Sequence, residues 1–220
     1  MFGKKETGMD NLIADMLQGS GITLSLFAIT LALSLPIGFL LSLGRLSKFK
    51  PLSWLIWLYT WALRGTPLML QILFIYFGLD LIGITIQDRF LAAVIAFVLN
   101  YSAYFCEIFR GGIQSIGRGQ YEASEMLGLS YPQTMLRIVL PQAFRRVLPP
   151  ISNEVITLIK DTALVYVIAL QDVMRMAYGV AVKSLTITPF LFAAVFYLLM
   201  TFVLTVLLNR LEKRFAYYEG

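Results

Sequence analysis

Five apolar stretches, at residues 22–43, 54–77, 90–109, 151–170 and 190–208, constrain this chain more than any other feature of it. Each is close to the roughly 20 residues a helix needs to cross the hydrocarbon core of a bilayer. A backbone in hydrocarbon must satisfy its own polar groups, which leaves helices or a closed barrel, and runs of this length are helical. Composition agrees: 58% of residues are hydrophobic and 14% charged, against about 25% charged in ordinary soluble domains. The expectation is an all-α membrane protein of five transmembrane helices, a single domain over residues 1–220.

Charge orients the spans. Arg45, Lys48 and Lys50 follow the first; Arg110, Arg118, Arg137, Arg145 and Arg146 follow the third; Arg210, Lys213 and Arg214 follow the fifth. On the opposite side Lys4, Lys5, Arg89, Arg175 and Lys183 are offset by Asp10, Asp15, Asp80, Asp88 and Asp172. Basic residues collect on the cytoplasmic side, so the N-terminus is expected outside and the C-terminus inside. The formal charge of +5 therefore describes membrane orientation and not nucleic-acid binding.

The start of the chain does not read as a cleaved signal, because Lys4 and Lys5 are followed by Glu6, Asp10 and Asp15 before any apolar run. Met9, Leu12, Ile13, Met16 and Leu17 recur at helical spacing, which makes residues 1–18 either a short helix on the membrane surface or an irregular start. A lone Cys106 rules out a disulfide within the chain, and with no histidine the usual zinc chemistry is missing.

Polar groups at membrane depth are costly and mark function or bracing. Arg64, Glu107, Glu154, Lys160 and Asp161 stand out. Glu154 and Asp161, seven residues apart, return to one helical face, with Asn153, Thr157 and Lys160 on the next stripe. Asn100, Tyr104 and Glu107 share a face of the third span. In the second, Arg64-Gly65-Thr66-Pro67 should break the helix, since proline lacks the backbone donor. Arg64 either pairs with Glu107 or Asp161 as a brace or serves the pathway. No Gly-x-x-x-x-Gly-Lys-Ser/Thr phosphate loop occurs, and no nucleophile–base or metal-ligand cluster is evident. The chain itself should be non-catalytic and bind neither cofactor nor metal, its energy coming from a partner or an ion gradient.

One polar segment breaks the apolar pattern. Residues 122–128 read as a short helix stopped by Gly128; Ser130-Tyr131-Pro132-Gln133 reads as a cap and restart, and Leu140-Pro141 as the end of the second helix. Two short helices across a sharp turn form a knob over residues 121–141, on the cytoplasmic side by charge.

This knob resembles the EAA loop of the membrane subunits of ATP-binding-cassette (ABC) importers: Glu122-Ala123, three residues after Ser124 Gly128, then nine residues to Ile138, Leu140 and Pro141, with only Ser124 departing from an alanine. Arg64-Gly65-Thr66-Pro67-Leu68, Tyr76-Phe77-Gly78, residues 107–116 and Leu158-Ile159-Lys160-Asp161-Thr162-Ala163-Leu164 resemble the polar amino-acid branch, which usually has serine at Ala163. The resemblance implies a type I importer fold in a bacterial cytoplasmic membrane. It also implies a second permease subunit, identical or related, two cytosolic ATPases that consume ATP with Mg, and an extracytoplasmic substrate-binding protein. Glu122, Ala123, Gly128, Leu140 and Pro141 would couple to the ATPase.

The expected substrate is a polar amino acid. Its path draws on Glu154, Asp161, Asn100, Thr66, Arg64, Tyr104 and Lys160. Glu154 or Asp161 would hold the ammonium or guanidinium of an arginine, lysine or histidine type, with the α-carboxylate near Thr66, Asn100 or freed backbone N–H groups. If Arg64 and Lys160 already neutralise these acids, a glutamine-like zwitterion fits instead. The competing reading is a gradient-driven transporter or channel with Glu154 coupling protons; such a carrier has no use for the knob.

Overall fold

The computed structural model describes residues 11–216, which are helical with no strand among them. The first helix, α1, runs Leu12–Arg45 through Pro36. At 34 residues it is about 50 Å long, well beyond a hydrocarbon core of roughly 30 Å. Residues 12–18 are its opening turns and not a separate surface helix; the rest of that expectation, residues 1–10, lies outside the described residues. Leu12 and Met16 are drawn inward because they pack on Val173, Ala177 and Ala193. Gly19 permits this closeness: a Cβ there would sit 2.9 Å from the Asp172 carbonyl carbon.

Helix α2 (Lys50–Gly65) ends at the expected break, and α3 (Leu68–Leu73) restarts after Pro67, whose extended ψ of 132° cannot continue the first helix. The Gln71 side chain donates to the Thr66 carbonyl at 3.1 Å and hydroxyl at 2.9 Å, re-satisfying part of the opened backbone. A π turn (Phe74–Gly78) and a 3-10 turn (Leu79–Ile82) follow, ending on Gly83 at φ +82°. Asp88 then caps α4 (Arg89–Gln114), accepting from Phe90 N–H at 2.8 Å.

After α4 come the short α5 (Arg118–Met126) and α6 (Tyr131–Thr134), a π turn (Met135–Val139) and α7 (Leu140–Asp161). Leu140-Pro141 therefore does not end a helix. The wide π turn places the Leu140 N–H on the Met135 carbonyl and accommodates the proline ring that a regular turn would reject. Beyond α7 the chain tightens into a 3-10 helix (Thr162–Ile168) and stops at Ala169 in the left-handed region, φ 55°.

The last elements are α8 (Val173–Ser184) and α9 (Thr188–Ala216). Asp172, fully buried, caps α8 by accepting from Arg175 N–H at 2.9 Å and Met174 N–H at 3.1 Å, and the Tyr197 hydroxyl donates to it at 3.0 Å.

Among the described residues three helices, α1, α4 and α9, are long and apolar enough to span a membrane, and α2 with its broken continuation makes a fourth if the pair is one span. The helix expected as span four, α7, is not among them; Arg145, Arg146, Glu154, Lys160 and Asp161 make it too polar. The chain divides into two compact units, and no sequence linker marks the division. One holds the described parts of Met1–Ala32, Thr66–Val98 and Val155–Thr205; the other holds Leu33–Gly65, Leu99–Glu154 and the described part of Val206–Gly220.

Candidate functional site

The knob is built by two capping devices. At the end of α5 the Leu129 N–H reaches the Ser124 carbonyl at 3.0 Å and the Gly128 N–H reaches that of Glu125 at 2.9 Å. This double closure requires a left-handed residue, and Gly128 supplies it at φ +73°. A Cβ on Gly128 would meet nothing within 4 Å, so the glycine is there for its backbone and not for space. The chain re-enters helix at Ser130, whose N–H donates to the Gln133 side chain at 2.9 Å, the returning half of a capping box.

Roots and apex of the knob differ in character. Met135, Val139 and Ala143 bury against Ile113 and Ile116 at the end of α4, with Tyr121 and Leu140 packed on them; this burial raises the Tyr121 phenol pKa. Gln142 ties α7 back to the Gln120 side chain at 3.1 Å, and Arg146 bonds the Ser115 carbonyl. Ser124 is buried, its hydroxyl donating to the Gln120 carbonyl at 2.6 Å, so a small residue is needed there and serine meets the requirement. At the apex Met126 is 89% exposed, and Leu127 and Tyr131 are also open, beside exposed Glu122 and Ala123; Leu136 and Pro141, further along the chain, are exposed as well. An apolar, rigidly capped tip on a buried base can transmit force to whatever covers it.

The polar candidates are divided between the two units. In the second unit Arg64, Tyr104 and Glu107 come together: the Arg64 guanidinium lies over the Tyr104 ring at 5.2 Å and 4.0 Å from Glu107. Of the two braces open to Arg64, this unit supplies Glu107. Arg110, absent from the sequence-based candidates, binds the same Glu107 oxygen through Nε at 2.9 Å and Nη2 at 2.6 Å. Its signal was present in the three-residue spacing from Glu107. Asn100 is buried and donates to the Leu63 carbonyl at 3.1 Å, closing an open end of α2.

Glu154, also of the second unit, is half-buried on α7, while exposed Asn153, Thr157 and Lys160 follow one another at helical spacing. Their stripe lies opposite buried Val155, Leu158 and Ile159. Thr66, Lys160 and Asp161 belong to the first unit, where Thr66 is engaged by Gln71 and Asp161 is half-buried at the end of α7. No group of three or more His, Cys, Asp or Glu side chains suited to a metal occurs among the described residues.

Comparison with known proteins gives these features a context. Residues 34–217 match the family model described as binding-protein-dependent transport system inner membrane component. The arginine transport system permease protein ArtQ of Bacillus subtilis (strain 168) is 42% identical over 201 residues, covering 90% of this chain and 91% of its own. The L-cystine transport system permease protein TcyB of the same organism is 36% identical over 198 residues, covering 89% and 84%. Among solved structures, an amino acid ABC transporter crystallised with histidines superposes with a TM-score of 0.88 at 33% identity, over 97% of this chain and all of that one.

Proposed function

The chain belongs to the family of binding-protein-dependent transport system inner membrane components, as an amino-acid ABC permease, and from that membership we propose that it carries a cationic amino acid inward, driven by a cytosolic ATPase that grips the knob at residues 121–141. The observation that carries the coupling is the knob itself: an exposed apolar tip, fixed by Gly128 and the Ser130–Gln133 cap, on a base buried against α4. Glu122 would pair within the ATPase cleft, Ala123 would allow close approach, and Leu140 and Pro141 would hold the base to α7. ATP and Mg are used by that partner, and this chain binds no cofactor or metal.

In this reading the protein spans the membrane five times with its C-terminus inside, α7 supplying the fourth span. A helix as polar as α7 is stable at that depth only against protein or water. Its exposed stripe of Asn153, Thr157 and Lys160 supports a second permease subunit, identical or related, as the other wall. An extracytoplasmic binding protein delivers the substrate.

The cationic substrate is favoured by Glu154 and Asp161 on α7 and by the likeness to ArtQ, whose name specifies arginine. The likeness to TcyB, named for L-cystine, shows why identity alone does not choose the side chain. A charged substrate and a carboxylate in the membrane neutralise each other. The test is competitive uptake of labelled arginine, lysine, histidine, glutamine and glutamate into vesicles holding the whole assembly, repeated with Glu154→Gln. Cationic uptake should dominate and fall at least about tenfold in the variant; preference for glutamine or glutamate, or unchanged cationic uptake, contradicts the assignment.

A further inference from the structure

The cluster around Arg64 carries more positive charge than its one acid can answer. Glu107 is the only carboxylate within ion-pair distance of either arginine among the described residues. Arg110 takes that carboxylate through two hydrogen bonds to one oxygen, 2.9 and 2.6 Å long. Arg64 reaches the same oxygen only at 4.0 Å, and its side chain remains 42% exposed. Glu107 is thus spent on Arg110, and its other oxygen, Oε1, is buried with no hydrogen-bond partner. A half-answered guanidinium and an orphaned carboxylate oxygen describe a network that is incomplete as it stands.

We propose that Arg64 is the receptor for the α-carboxylate of the transported amino acid, with Glu107 and Arg110 as the residues that position it. A carboxylate presents two oxygens that match the planar guanidinium fork, and it would cancel the surplus charge at a depth where an unbalanced cation is costly. The Tyr104 ring 5.2 Å away supports the flat face of the guanidinium and leaves its in-plane donors for a ligand. Asn100, by holding the Leu63 carbonyl at 3.1 Å, fixes the helix end from which Arg64 projects. The carboxylate then belongs on Arg64, while Asn100 serves the backbone.

This assignment rests on the reading of the chain as an amino-acid permease, but it does not depend on which amino acid is carried. Every α-amino acid has the carboxylate, so the site recognises the class and leaves side-chain choice to other residues. The experiment is calorimetric binding to the purified permease–ATPase assembly without its binding protein. Arginine is compared with argininamide, and glutamine with glutaminamide, in the wild type, Arg64→Gln and Arg64→Lys.

Whichever amino acid binds should do so at least about tenfold more tightly than its amide. Arg64→Gln should bring the ratio to near one, and Arg64→Lys, which keeps the charge but not the fork, should give a ratio in between. An amide that binds the wild type as tightly as its parent overturns the inference without recourse to any variant. So does an undiminished ratio in Arg64→Gln, or binding by neither pair. If only the glutamine pair binds, with the ratio intact, the cationic reading fails while the role of Arg64 stands.

Discussion

Replacing Asp172 by asparagine should flatten the pH dependence of stability between about pH 4 and pH 7. Burial at the head of α8 raises the Asp172 carboxyl to about 6 from an ordinary 3.8, even though Arg175 N–H, Met174 N–H and the Tyr197 hydroxyl all donate to it and pull the other way. The folded protein therefore holds this proton more tightly than the unfolded chain does. Its contribution is fully present below about pH 4 and is lost as pH rises through about 6. The gap between the two values amounts to about 3 kcal/mol, a ceiling for what one carboxyl can contribute. Asparagine keeps an oxygen for the cap and never ionises. Thermal unfolding of the purified protein in detergent, followed from pH 4 to pH 8, should show a falling component in the wild type that is missing from Asp172→Asn. At pH 8 the variant should match or exceed the wild type. Parallel curves for the two proteins would refute the reasoning, because every other titrating group is common to both.

Two glycines give sharper structural tests. Gly128→Val should leave the protein in the membrane but lower uptake relative to ATP hydrolysis in reconstituted vesicles. The left-handed turn costs about 1–2 kcal/mol for a residue with a side chain, while a Cβ there would meet nothing within 4 Å; normal coupling would sink the role of the turn. Gly38→Ala should lower the unfolding temperature, because a Cβ at Gly38 would sit 2.6 Å from the Phe105 Cβ and 3.0 Å from the Ser102 carbonyl oxygen. Overpacking of this kind costs about 1–3 kcal/mol, and an unchanged unfolding temperature would mean that α1 and α4 are not packed so closely.

The parts of the fold that local chemistry dictates were readable in the sequence. Apolar length marked α1, α4 and α9, Pro67 marked the break after α2, and Gly128 with Ser130 marked the turn of the knob. The errors arose where a local signal was answered by geometry elsewhere in the chain. Pro141 normally argues for a helix end, but the preceding π turn absorbs it, and nothing in residues 135–139 announces a π turn. The helical spacing of Met9, Leu12, Ile13, Met16 and Leu17 allowed a separate surface helix before the first span; Met16 in fact packs inward against α8, and Gly19 lets the backbone of Asp172 approach. Among the polar residues, spacing along a helix found the Asn100–Tyr104–Glu107 face, yet gave no means of knowing that Asn100 would be turned to the backbone of α2. Arg146 and Ser115 are 31 residues apart in sequence, and only the fold brings them together.

The most direct test of the account is the energy source. The chain, co-purified with its ATPase and reconstituted with its binding protein into vesicles of defined orientation, should accumulate labelled arginine only when ATP and Mg are supplied on the ATPase side. That uptake should persist when ionophores collapse all proton and sodium gradients. Accumulation driven by an imposed gradient without ATP, or abolished by the ionophores while ATP hydrolysis continues, would contradict it.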